Sequence, residues 1–188
     1  MWTPEFRKNL SIFLFFLALA IIFTAPLSLG PHERAANDGD PLHISWILAW
    51  DAHQLIRAPL NLFDSNTFYP YEKSLAFSEH FVGIALFAAP FYYLTGNALF
   101  AHNMVLLLTI AACGAAMFWL VKEMLGRSDA AIVAGIVYAF NTYNFHEVPR
   151  LQLLSAQWLP LAILFLHRAF TTGGRKNFFL IGLCFILQ

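Results

Sequence analysis

Three short clusters in this sequence carry side chains able to move protons or hold charge. They are Asn37-Asp38-Gly39-Asp40 with His43 three residues on, Ser78-Glu79-His80, and His146-Glu147 followed by Pro149 and Arg150. Carboxylates and imidazoles serve as general acids and bases near neutral pH. A guanidinium grips a phosphate or carboxylate through parallel N–H bonds. Asp40, Glu79 and His80 are therefore the candidate proton-transfer groups, and Asp38, His43, Arg57, His146, Glu147 and Arg150 the candidate substrate-binding groups. Each also has a plainer reading. Asp40 precedes Pro41, the pattern of an N-cap followed by proline at the first helical position, and capping is compatible with catalysis. Asp38 also fits a solvated turn, His43 a surface histidine, and Glu79-His80 the cap of a following helix. Arg150 either holds a phosphate or pairs with Glu147. The run Asn66-Thr-Phe-Tyr-Pro-Tyr71 fits sugar stacking or anchoring at a membrane interface.

No Walker loop, GxGxxG, HExxH, GxSxG or CxxC motif occurs. Cys113 and Cys184 both sit in apolar runs and read as buried reduced thiols rather than as a disulfide or a metal pair. No metal ligand set is assigned.

The chain that must position these clusters is greasy. Its 188 residues are 59% hydrophobic and 12% charged, with a mean hydropathy of +0.61. Soluble domains run at roughly 45–50% apolar and about 25% charged, so a soluble domain is excluded, as are disorder, collagen and a disulfide scaffold. Eleven Lys and Arg balance eleven Asp and Glu. There is no basic footprint for nucleic acid.

The expected fold class is all-α: a polytopic transmembrane helix bundle with a long outer loop carrying amphipathic surface helices. Uncharged runs place spans at 10–30, 98–121, 128–144 and 152–168, with a further helix over 177–188. The first is read as an uncleaved anchor, because it is long for a signal segment and further apolar runs follow. The last falls short of the ~17 residues a span requires, so the chain is expected to be the amino-terminal part of a longer protein, with the remainder of that chain as its partner. Small residues at Ala130, Ala131, Ala134, Gly135 and Ala139 allow close helix approach in lipid.

Residues 31–97 form the outer loop. A helix is expected over 41–58, with Trp46, Ile47, Trp50 and Leu55 on one side and Asp51, Gln54 and Arg57 elsewhere. Its tryptophans suit the headgroup layer, so it is laid along the membrane surface. A second surface or re-entrant helix is expected over 79–94, interrupted by Pro90. If 81–94 does not cross, Arg7, Lys8, Lys122, Arg127, Arg168, Arg175 and Lys176 fall inside, and only Arg34, Arg57, Lys73 and Arg150 outside. The positive-inside rule favours that layout, with a cytoplasmic amino terminus. Eight acids then lie outside, together with six of the seven histidines. Such polarity suits proton, metal or phosphate chemistry on that face.

One cytoplasmic start, one helix, then a long outer loop that opens on an Asp and holds two surface helices resembles the amino-terminal part of GT-C-type membrane glycosyltransferases. These are enzymes of the protein-mannosyltransferase, aminoarabinose-transferase and oligosaccharyltransferase kind. The carrying residues are Asn37 to Asp40, Phe68-Tyr-Pro70, Ser78-Glu-His80, and the stretch from His146 to Pro160. That last stretch is similar to YfhO-like bacterial membrane proteins of the same superfamily. The Asp-Glu pair of the protein mannosyltransferases is absent, Asp40 being followed by Pro41. The resemblance implies a bacterial inner-membrane hexosyltransferase of the inverting type. It implies a polyprenyl-phosphate-linked sugar donor, membrane lipids as surroundings, a carboxylate base such as Asp40, and Arg57 or Arg150 as the clamp on the leaving phosphate. Some relatives use a divalent metal; Asp40, Glu79 and His80 are of ligand type, and nothing in their spacing demands one. The alternatives are a transporter or flippase subunit for a lipid or glycan, and a non-catalytic membrane scaffold. Transporters place polar groups at mid-membrane, whereas the spans here are nearly free of ionisable residues.

Overall fold

A computed structural model describes residues 3–188, and the described residues are all-helical. The helices are α1 (Pro4–Phe23), α2 (Asp40–Arg57), α3 (Val82–Thr95), α4 (Ala98–Leu125), α5 (Ser128–Ala139), α6 (Thr142–His146), α7 (Leu151–Leu154), α8 (Trp158–Thr171) and α9 (Arg175–Leu187). Three stretches are long and apolar enough to cross a membrane: α1, α4, and Leu151–Thr171, which joins α7 to α8. Large apolar side chains, among them Ile22, Val137, Phe170, Phe179 and Phe185, lie on the outside. A water-soluble protein rarely exposes so much apolar surface. These are features of a membrane protein.

The core forms around α4. No charged residue interrupts this helix before Lys122, and a helix apolar on every side seeks burial on every side. It packs against α1, α2, α3, α5, α7 and α8. Asn97 caps its start, its side-chain oxygen accepting from the Phe100 N–H at 2.8 Å. Gly126, at φ 71°, ends it in the left-handed conformation that favours glycine.

One notch in this core is cut by two glycines. A Cβ on Gly114 would lie 2.3 Å from the Phe16 ring, and one on Gly135 would lie 2.4 Å from that ring and 2.6 Å from the Gly114 carbonyl oxygen. Ala131, Gly135 and Ala139, four residues apart, are the buried face of α5, so the small residues seen in the sequence bring α5 against α4 and admit Phe16 from α1. Gly135→Ala is therefore expected to destabilise the protein more than Gly114→Ala, because backbone as well as ring must yield. Overpacking of this kind costs about 1–3 kcal/mol. Thermal unfolding in detergent checks this, and Phe16→Leu should relieve the Gly114 variant more than the Gly135 variant.

The helix boundaries differ from the expected spans where local chemistry intervenes. The first helix is not 10–30. It starts at Pro4, with the Thr3 side chain capping Phe6 N–H, so Glu5, Arg7 and Lys8 lie within it. It stops at Phe23, because Pro26 has no N–H to donate and its ring disfavours helix in the residue before it. The expected span 98–121 runs on to Leu125. The expected span 128–144 is broken. Asn141 donates to the Tyr138 carbonyl and accepts from Asn144 N–H, closing α5 and opening α6. The 12 residues of α5 reach about 18 Å, against a hydrocarbon core of about 30 Å. The span 152–168 begins instead with α7, turns through 155–157, and continues as α8. The final helix starts at Arg175.

The loop helices differ more. Here α2 packs against α3 and α4, with Ile44, Ile47, Leu48 and Ala52 in the core. It is therefore not a helix lying alone on a surface. Trp50 Nε1–H donates to the Leu62 carbonyl at 2.9 Å, and Gln54 donates to the Asn61 carbonyl, folding the following loop back onto α2. Gly39, not Asp40, is the N-cap; its carbonyl accepts from Leu42 and His43, and Asp40 is the first helical residue with no capping bond. Likewise α3 begins at Val82, so Glu79 and His80 precede it and cap nothing.

Candidate functional site

Asp40 and Glu79, from two distant parts of the 31–97 segment, both meet side chains at or just after the turn between α6 and α7. Arg150, whose backbone carbonyl starts the short helix α7, reaches across 110 positions of sequence to Asp40 at the head of α2; Nε donates to Oδ2 at 3.0 Å. Its Nη1 donates to Glu147 Oε2 at 2.8 Å. Glu147 is buried, while Arg150 and Asp40 are about half exposed. The guanidinium is thus shared by two carboxylates, and Glu147 first, then Asp40, holds it in the charged form. Its Nη2 makes no hydrogen bond among the described residues. His146 stands 3.9 Å from Glu147 and is well exposed.

Two residues further on, Gln152 donates to Glu79 Oε2 at 2.6 Å. Asp40 and Glu79 are therefore held by neighbouring residues of one segment. His43 lies 3.3 Å from the Ser78 hydroxyl. Asp38 and Arg57 are exposed and join none of these contacts. The three clusters singled out in the sequence do not share one cavity. Parts of them line three separate openings, while Asp38, Asp40, Glu147 and Arg150 line none of the three. The largest, about 800 Å³, lies between the end of α1, the 33–36 loop and the 145–149 loop, with Glu33, Arg34 and His146 on its wall. The second, about 500 Å³, is lined by Glu79, His80 and Gln152. The third, about 480 Å³, is walled by His43, Trp46, Phe68 and Tyr71 with Ser74 and Ser78. Asn103 of α4 steadies the first wall by donating to the Pro31 and Arg34 carbonyls.

Asp51 is the residue that sequence reasoning missed. It was set among the polar positions of its helix, yet it is 0% exposed. Its Oδ1 lies 3.4 Å from His80 Nε2, and neither oxygen has a hydrogen bond of good geometry. Burial pushes its carboxyl up to about 7, and the neighbouring Phe81 N–H offsets little of this. Burial likewise lowers the pKa of His80. A signal was present: Ile44, Ile47, Leu48 and Asp51 follow i, i+3, i+4, i+7 spacing, one face of a helix.

Among the described residues no three His, Cys, Asp or Glu side chains gather as a metal site. Asp40, Glu79 and His80 each have a different partner, so as a ligand set they do not fit a divalent ion, and no step is derived through one. Compared with known proteins, the chain matches no family model, no curated protein and no solved structure.

Proposed function

We propose that this chain carries the acid–base and phosphate-binding groups of a membrane enzyme that moves a sugar from a polyprenyl-phosphate donor to an acceptor hydroxyl on the outer face of the membrane. The observation that carries the reading is Arg150, bridged between a buried and a half-exposed carboxylate, with its Nη2 making no hydrogen bond among the described residues. A sugar phosphate needs a cation for its leaving group and a base for its acceptor, and here the two are in contact.

That contact couples binding to basicity. A carboxylate paired with a guanidinium is a poor base, because the charged form is already stabilised. A phosphate arriving at Arg150 competes for the fork and draws it from Asp40. Glu147 keeps the guanidinium in place meanwhile. Asp40 then takes the acceptor hydroxyl's proton as that oxygen attacks the anomeric carbon. The bond from that carbon to the phosphate oxygen breaks with its electron pair going to the phosphate, where Arg150 receives the charge. Attack opposite the leaving group inverts the anomeric centre.

Sugar transfer by the full-length protein in proteoliposomes, from a radiolabelled polyprenyl-phosphate hexose, tests the reading. Arg150→Gln is expected to lower turnover by about 10²–10³-fold, the loss typical of one charge-stabilising donor. Lys at the same position should recover part of it, since an ammonium still supplies the charge without the fork. Wild-type transfer by a folded Arg150→Gln variant would sink the assignment.

A further inference from the structure

We propose that Asp51 and His80 act as one proton-exchanging dyad serving the cavity beside Glu79, with Asp51 the sealed positioning residue and His80 the group that meets the cavity. The proposal needs no sugar and does not rest on the transfer reading above.

The geometry separates the two roles. Asp51 is fully buried on the core face of α2, and among the described residues its only charged-type neighbour within ion-pair distance is His80, at 3.4 Å. The imidazole turns Nε2 inward to Asp51, where that atom is sealed from solvent. The ring keeps 16% of its surface exposed and forms part of the 500 Å³ cavity wall. Phe63 packs against the ring with centroids 4.6 Å apart and fixes its tilt. A buried carboxylate without such a partner would be very costly, yet no lysine or arginine is supplied. The pair is therefore suited to holding a single proton.

The surroundings offer little competition for that proton. From α3, Tyr93 directs its hydroxyl to the Ala52 carbonyl. From α4, which has no acid or base cation before Lys122 other than His102, that histidine is itself buried against Asn103. Glu79 precedes His80 and is held by Gln152. On α2, His43 and His53 lie on the exposed side. The chemistry this suits is removal of a proton from a hydroxyl in the cavity. From the proton-free pair, neutral His80 beside the Asp51 carboxylate, the O–H proton passes to His80, the oxygen keeps the electron pair, and the imidazolium forms against that carboxylate.

The test uses the full chain in detergent micelles, labelled with ¹⁵N-histidine and ¹³C-carboxyl aspartate; His80→Gln assigns the resonance. A dyad titrates as a pair, so His80 nitrogen and Asp51 carboxyl shifts should move with one common midpoint in the wild type. In Asp51→Asn the His80 midpoint should fall by at least one pH unit, since a buried imidazolium has lost its counter-charge. Diethyl pyrocarbonate supplies the second readout: at a pH where the ring is neutral in both proteins, His80 should be acylated several-fold more slowly in Asp51→Asn. Separate wild-type midpoints, an unchanged His80 midpoint in the variant, or no acylation of His80 in the folded protein would each overturn the proposal. The wild-type titration decides even if the variant does not fold.

Discussion

Asp40→Asn in the full-length protein is expected to reduce sugar transfer by about 10²–10⁴-fold, the range for loss of a general base, with the fold intact. Asparagine keeps the shape and still offers an oxygen to Arg150 Nε, but it cannot take the acceptor's proton. The helix start is indifferent, because Gly39 is the N-cap and Asp40 makes no capping bond. Asp40→Ala should for the same reason unfold at nearly the same temperature as Asp40→Asn, where a true cap would cost about 1 kcal/mol. Turnover from a polyprenyl-phosphate donor and detergent gel filtration are the measurements. A folded Asp40→Asn enzyme turning over at the wild-type rate would remove Asp40 as the base and make Glu79 the next to test.

Asp51→Asn is expected to stabilise the protein, and to do so only away from acid. The folded carboxyl titrates at about 7 against an ordinary 3.8. A group whose folded pKa is raised contributes its full stability below the unfolded value and loses it as pH rises through the folded one. The wild type should therefore lose stability relative to the variant between about pH 4 and 7, by up to about 4 kcal/mol for a shift of this size. Pairing with His80 reduces that figure. His80 acts in the opposite sense: its lowered pKa costs stability as pH falls below 6.5. Thermal unfolding in detergent from pH 5 to 8 is the check, and a difference between variant and wild type that does not grow with pH would contradict it.

The helices were largely legible because charge-free runs and glycine or proline stops are local facts. The run ending at Val121 marks α4, and Gly126 ends it. Breaks made by side chains were not legible: Asn141 divides 128–144 through bonds to backbone groups that only the folded turn brings within reach. The site was half legible. Asp40, Glu79, Glu147 and Arg150 stand out by type, but a pairing across 110 positions leaves no trace in one sequence. Asp51 was missed because a charged side chain on an amphipathic helix is assigned to water by its chemistry, while its position on the Ile44, Ile47 and Leu48 stripe assigns it to the core. The position prevailed, since α2 packs against α3 and α4 and a neutral carboxyl or a histidine partner makes the burial tolerable.

The glycine notch also fixes a sequence of events in time. Helix α1 leaves the ribosome before α4 and α5, but the seat for Phe16 is made jointly by Gly114 of α4 and Gly135 of α5. It does not exist until more than a hundred further residues have been made and the α4–α5 hairpin has closed. An independently formed α1 can wait through that interval, as the two-stage view of membrane assembly allows, and the seat of Phe16 is completed only when α5 arrives. A chain interrupted just after α4 would thus offer α1 its main packing partner but leave the Phe16 seat without its α5 wall.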